Sequence, residues 1–126
     1  MKASAREWVR KAEEDFLAAS ALRLRRKKPL WNIVCFHVQQ TIEKYLKARL
    51  EEAGVSAPKT HDLTHLLNLA LPVEPLWAPY SHAFSLIVSY AVLTRYPGSS
   101  ATKADALHAL KIGREFRKEA RRALGL

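Results

Sequence analysis

The stretch from Leu30 to Ala53 constrains this chain more than any other. Pro29 stands just before it and Gly54 just after it. Proline cannot continue a preceding helix, and glycine accepts the left-handed backbone that closes the next one. Between these two breaks, Trp31, Val34, Val38, Ile42 and Tyr45 recur at steps of three and four residues. That spacing lays one apolar stripe along a helix. Phe36, Gln40, Glu43 and Lys47 fall on its other side, with His37 and Gln39 at the margins. Leu30, Ile33 and Cys35 widen the apolar face at the start, so that end is expected to be deeply buried. A helix of this length must lay its stripe against other elements, and the rest of the chain supplies helices.

Ser4 and Glu7 have capping-box spacing and predict a first helix that starts there. Trp8, Ala12, Asp15 or Phe16, Ala19 and Leu22 continue it toward Arg23–Arg26. After a loop containing Pro58, Thr60 or Asp62 can cap a short third helix carrying Leu63, Leu66, Leu67 and Leu69. Pro72, Pro75 and Pro79 make the next connection irregular or the start of a helix. A fourth helix is expected over residues 78–94, with Phe84, Ile87, Val88, Ala91 and Val92 inward. Its β-branched residues also suit a strand, but length and helical neighbours favour helix. Arg95-Tyr96-Pro97-Gly98 is a stop. Thr102 and Asp105 then predict a capped fifth helix reaching about Leu124, with Leu107, Ile112, Phe116 and Ala120 buried. The expected fold is all-α, an antiparallel up-and-down bundle of about five helices.

Composition agrees with one domain over residues 1–126. The chain has 126 residues, 48% hydrophobic and 26% charged, with only 4 glycines and 6 prolines. That excludes a disordered or collagenous chain. A lone cysteine, Cys35, excludes an intramolecular disulfide and a multi-cysteine metal centre. Charges recur from Lys2 to Asp15 and break any leader-like apolar core. No apolar run is long enough for a bilayer. A soluble, cytoplasmic protein without a membrane partner is the expectation.

The net charge of +9 is concentrated. One cluster is Arg23, Arg25, Arg26, Lys27 and Lys28. The other is a tail containing Lys111, Arg114, Arg117, Lys118, Arg121 and Arg122. Such clusters can form a phosphate-binding surface, for nucleic acid or nucleotide. They can equally be cations gathered at helix C-termini, where the macrodipole favours them. Antiparallel first and fifth helices would place their C-terminal clusters at opposite poles, as two patches.

Enzyme templates find little support. The glycines are isolated, so there is no phosphate-cradling loop, and no HExxH motif occurs. His61 and His65 have i,i+4 spacing but lack an evident third ligand, so no metal set is assigned. Cys35 and His37 are two residues apart on one helix and diverge. Cys35 reads as a small core residue. The polar side of the second helix, with Gln40, Glu43, Lys44 and Lys47, is either a solvated face or a binding face.

The run Cys35-Phe36-His37-Val38-Gln39-Gln40-Thr41-Ile42-Glu43-Lys44-Tyr45-Leu46-Lys47-Ala48 resembles the signature helix of the HEPN family, the higher eukaryotes and prokaryotes nucleotide-binding domain. Lys59-Thr60-His61-Asp62-Leu63 and Arg95-Tyr96-Pro97 resemble two further segments of that family, in the same order. Trp8 and the Glu14-Asp15 pair also fit. The resemblance covers nearly the whole chain. It implies a helical bundle, dimerisation, and association with a minimal nucleotidyltransferase in pairs that look like toxin–antitoxin modules. It also implies a candidate nucleotide site at Gln40, Glu43, Lys44, Lys47, His61, Asp62, Arg95 and Tyr96. Lys44, Lys47 and Arg95 would meet phosphate there, and Tyr96 would stack on a base. Plain structural roles compete with this. Asp62 can be a helix cap, His61 a buried hydrogen-bonding group, Arg95 a cap of carbonyls and Tyr96 a side chain packed under the turn.

Some HEPN proteins are metal-independent RNases with an Arg-x4–6-His motif. No histidine of this chain, whether His37, His61, His65, His82 or His108, follows an arginine at that distance. The activity is therefore not carried over, and no catalytic residue or cofactor is assigned. Three readings remain: a nucleotide-binding interaction module, an RNA-binding protein or RNase toxin with a nonstandard site in which Arg23, Arg25, Arg26, Lys27, Lys28, Arg114, Lys118 and Arg121 form the phosphate surface, and a structural dimeric adaptor. A homodimer is expected. The chain's 3 tryptophans, 4 tyrosines and 4 phenylalanines are many anchors for a small bundle, and few charges lie between Trp77 and Thr94.

Overall fold

A computed structural model describes residues 1–126. It contains α1 (Ala3–Arg23), α2 (Trp31–Glu52), α3 (Leu63–Ala70), α4 (Tyr80–Leu93) and α5 (Lys103–Ala123), with no strand. A single 3-10 turn, Pro75–Trp77, fills the proline-rich connection. The four longer helices run up, down, up and down, and α3 lies in the crossover between α2 and α4. Cross-helix bonds fix these directions. Glu13 meets both Tyr45 and Arg117, Asn32 meets Ala101, and Tyr90 meets His108.

The second helix is the axis of the bundle. The other four helices all pack on it, which is why most of its length is buried. Val34, Val38, Ile42, Tyr45, Leu46 and Leu50 enter a core of 25 buried residues. Beneath them Trp77, Tyr80, Phe84 and Phe116 meet at centroid distances of 4.9–5.4 Å, mostly edge to face. Gly113 lets α5 approach α2 closely: a Cβ there would stand 2.9 Å from Val38 Cγ1. Burial pushes the Cys35 thiol up to about 11 and leaves it a core residue.

Several expectations are corrected. Helix α1 starts at Ala3 with Lys2 as its N-cap and no side-chain cap; Glu7 pairs with Arg10 instead of closing a box with Ser4. The start of α2 is deeply buried on one flank only. Val34 and Cys35 are in the core, but Leu30 and Ile33 are exposed, as is Phe36 by 50%, because no helix covers that corner. Val92 points outward on α4, and Leu69 and Leu107 are only half-buried. The polar side of α2 is not a solvated face: Glu43 is 2% exposed and Lys47 5%. Other boundaries agree closely with the spacing argument. Thr102 and Asp105 form a full capping box on α5, and Asp62 caps α3 by accepting from the backbone N–H of Thr64 and His65.

Candidate functional site

Two buried carboxylates organise the polar side chains of α2. On the flank facing α1, Asp15 accepts from His37 Nδ1 at 2.8 Å and pairs with Lys44. On the flank facing the turn before α3, Glu43 Oε1 meets His61 Nδ1 at 2.8 Å, and its Oε2 accepts from Lys47 at 3.2 Å. Lys47 also lies 5.1 Å from the centre of the Trp8 ring. Each carboxylate thus ties one histidine and one lysine. A third carboxylate, Glu13, receives a two-pronged bond from Arg117 and one from the Tyr45 hydroxyl. Arg117 and Tyr45 hold its carboxyl below the usual carboxylate range against the opposing effect of burial. Burial and the Glu13 contact push the Tyr45 hydroxyl up to about 12.

This wiring engages two of the predicted phosphate contacts with acids of the chain itself. Half-buried Lys44 pairs with Asp15, and buried Lys47 pairs with Glu43. Asp62 is a helix cap, as the plain structural reading had it. Tyr96 does not pack under the turn and is 64% exposed. Arg95 caps no carbonyl; it is exposed and makes no side-chain bond within the chain.

Other predicted residues do come together. A cleft of about 420 Å³ opens between α2 and the end of α4, with the turn before α3 as its third wall. Gln40, His61 and Arg95 line it, joined by Phe36, Gln39 and Thr94. Glu43 stands behind this wall and orients the His61 ring, which is itself largely exposed. Gln39 is 6% exposed; its Nε2 donates to the His61 carbonyl at 3.2 Å, while its buried Oε1 has no donor. The cleft therefore offers a cation, an imidazole, the Gln40 carboxamide and an aromatic ring. Phe36 and Gln39 were not assigned to the site from sequence, although both stand in the signature run. His108 is not part of it and pairs with the Tyr90 hydroxyl at 2.9 Å.

The basic clusters separate. In the C-terminal one, Arg117 and Arg121 pair with Glu13 and Arg122 pairs with Glu119, so half its charge is satisfied within the fold. Arg114 and Lys118 remain exposed on α5. Arg23, Arg25, Arg26, Lys27 and Lys28 form no ion pair and lie at the opposite pole, so the two clusters are two patches.

A family model for the HEPN domain matches residues 5–123. The chain belongs to the HEPN domain family. Comparison with curated proteins and with solved structures gave no significant match in either. The match runs from α1 to the end of α5, so the elements that carry the HEPN signature are also those that build the cleft. No helix of this HEPN protein is long and apolar enough to cross a membrane.

Proposed function

We propose that this HEPN protein is a binding module that takes a nucleotide, or a nucleotide unit of RNA, in the α2–α4 cleft. The observation that carries this reading is the meeting of Arg95, Gln40 and His61 in one cleft, from three separate stretches of sequence. Arg95 is the phosphate contact, a planar fork of donors without an internal acid partner. Phe36 is the stacking surface, in the place given to Tyr96 from sequence. Isothermal titration with ATP and other nucleotides tests the reading. Heat that disappears in Arg95→Ala supports it; no heat and no competition at millimolar ligand overturns it.

A homodimer and a minimal nucleotidyltransferase partner belong to the same reading. The apolar rim of the cleft favours the first, and family membership favours the second. Co-purification of the partner, weakened by nucleotide or by Arg95→Ala, is the expected result.

One observation favours a second reading, an RNase with a nonstandard site. Glu43 fixes one nitrogen of His61 and leaves the ring facing the cleft that also holds Arg95, an arrangement suited to moving a proton beside a phosphate. Incubation with total RNA in EDTA separates the readings. Cleavage lost in both His61→Ala and Arg95→Ala favours the enzyme; no cleavage beyond the Arg95→Ala control rejects it.

A further inference from the structure

The corner where α1 ends and α5 begins carries a second cleft, of about 600 Å³, that shares no residue with the first. Arg23, Arg25, Arg26 and Lys103 line it, with Trp31 and Leu107 among the apolar walls and no carboxylate. We propose that this cleft docks single-stranded nucleic acid, its cations on successive phosphates and Trp31 against a base.

Helix-end electrostatics account for only part of this charge. Arg23 sits in the last turn of α1, where the macrodipole favours a cation. Arg25 and Arg26 lie beyond the helix, in the connection to α2. Lys103 is the first residue of α5, where the dipole opposes a cation. The acid of that turn, Asp105, is engaged in the capping box through the backbone N–H of Thr102. Four like charges therefore face one space and none of them makes an ion pair, an arrangement an incoming polyanion relieves.

The donors are held in place. Arg25 Nε donates to the carbonyls of Lys27 and Lys28 at 2.9 and 3.2 Å, which fixes the guanidinium on its own loop and leaves its terminal nitrogens free. The loop turns through Lys28 at φ 48°, a left-handed conformation at a non-glycine residue. On the far side, Asn32 Oδ1 accepts from the Ala101 N–H at 2.7 Å and pins the start of α2 to the segment leading into α5. Trp31 is half-buried, so part of its indole faces the cleft. Aromatic surface interleaved with cations binds unpaired bases, whose faces are free, in preference to a duplex, whose faces are stacked.

Fluorescence anisotropy of a labelled single-stranded oligo(U) RNA on the full chain, at a series of salt concentrations, tests the proposal. Arg25→Ala with Arg26→Ala is expected to weaken binding at least tenfold and to reduce the salt slope by about 1.4, the value for two lost contacts to a single strand. Trp31→Leu is expected to weaken binding about tenfold without changing the slope. The charge reversal Lys103→Glu supplies an independent variant, and far-UV melting confirms that each is folded. Unchanged affinity and slope in the Arg25/Arg26 variant overturn the proposal. So does equal binding of a duplex of the same length with no effect of Trp31→Leu. Capture of phosphatidylserine vesicles in place of the oligonucleotide overturns it as well and points to a membrane surface. Because Arg95→Ala leaves this cleft intact, a failed nucleotide titration and a failed oligonucleotide titration are separate results.

Discussion

Glu43 shows how far residue type can mislead about exposure. Its i,i+4 spacing from Lys47 reads as an ordinary surface pair, yet both side chains are buried between α2, α1 and the turn before α3. Periodicity reports where the apolar stripe lies, not whether a partner also covers the polar side. An axial helix packed on every flank hides that side too. Truncating Glu43 to alanine leaves Lys47 charged and buried, with an expected cost of about 3 kcal/mol in urea unfolding. Adding Lys47→Met should recover part of that loss, which a double-mutant cycle reads directly. His61→Ala, at the exposed end of the same carboxylate, should cost less. Glu13 gives the pH-dependent counterpart. Its carboxyl is depressed in the fold, with Arg117 the leading cause. The stability it contributes is therefore present above the ordinary value of 4.5 and is lost as pH falls through the folded value. Glu13→Gln should lower thermal stability at neutral pH and flatten its decline in acid.

At the scale of the helices, boundaries were legible where side chains mark them and illegible where tertiary contacts do. Thr102, Asp105 and Asp62 mark their helices by bonding backbone N–H groups, and the expected caps are present. Ser4 carried the same kind of signal, but the N-cap is Lys2, two residues earlier. The Lys2 backbone N–H bonds Glu52 at the end of α2, a contact no local pattern reveals. Asp62→Ala should cost about 1 kcal/mol and fray the turn that presents His61 to the cleft, measurable as a lower melting temperature. Gly113 makes a sharper test. Intrinsic propensity favours alanine over glycine inside a helix by about 1 kcal/mol. The 2.9 Å approach to Val38 opposes it, and overpacking of this kind costs about 1–3 kcal/mol. Gly113→Ala should therefore destabilise, and Val38→Ala in the same chain should turn the substitution favourable.

Over the whole molecule, the apolar surface is as informative as the core. The α2–α4 cleft is bordered by Phe36; the end of α4 that forms its wall also exposes Val92 and Leu93, and the turn after it exposes Tyr96; Ile33 stands one turn before Phe36 on α2. A small bundle cannot bury every large apolar side chain, but grouping them beside one cleft is different from scattering them. The same feature accounts for two expectations that the fold corrected. One flank of the start of α2, with Leu30 and Ile33, is apolar yet uncovered, and Val92 faces out. Both follow if a second copy covers this corner, because a one-chain pattern marks apolar residues without saying which molecule buries them. A two-fold partner seated there would close the cleft from outside and place two Arg95 side chains near one another. Sedimentation equilibrium at micromolar concentration should accordingly give twice the chain mass of 14.3 kDa. Phe36→Asp with Val92→Asp should return the mass to that of one chain without lowering helicity, since both positions are exposed within the protomer. A wild-type mass of one chain would remove the dimer from the proposal and leave the rim as part of the ligand or partner surface. Retention of the dimer by the double variant would move the interface elsewhere on the bundle.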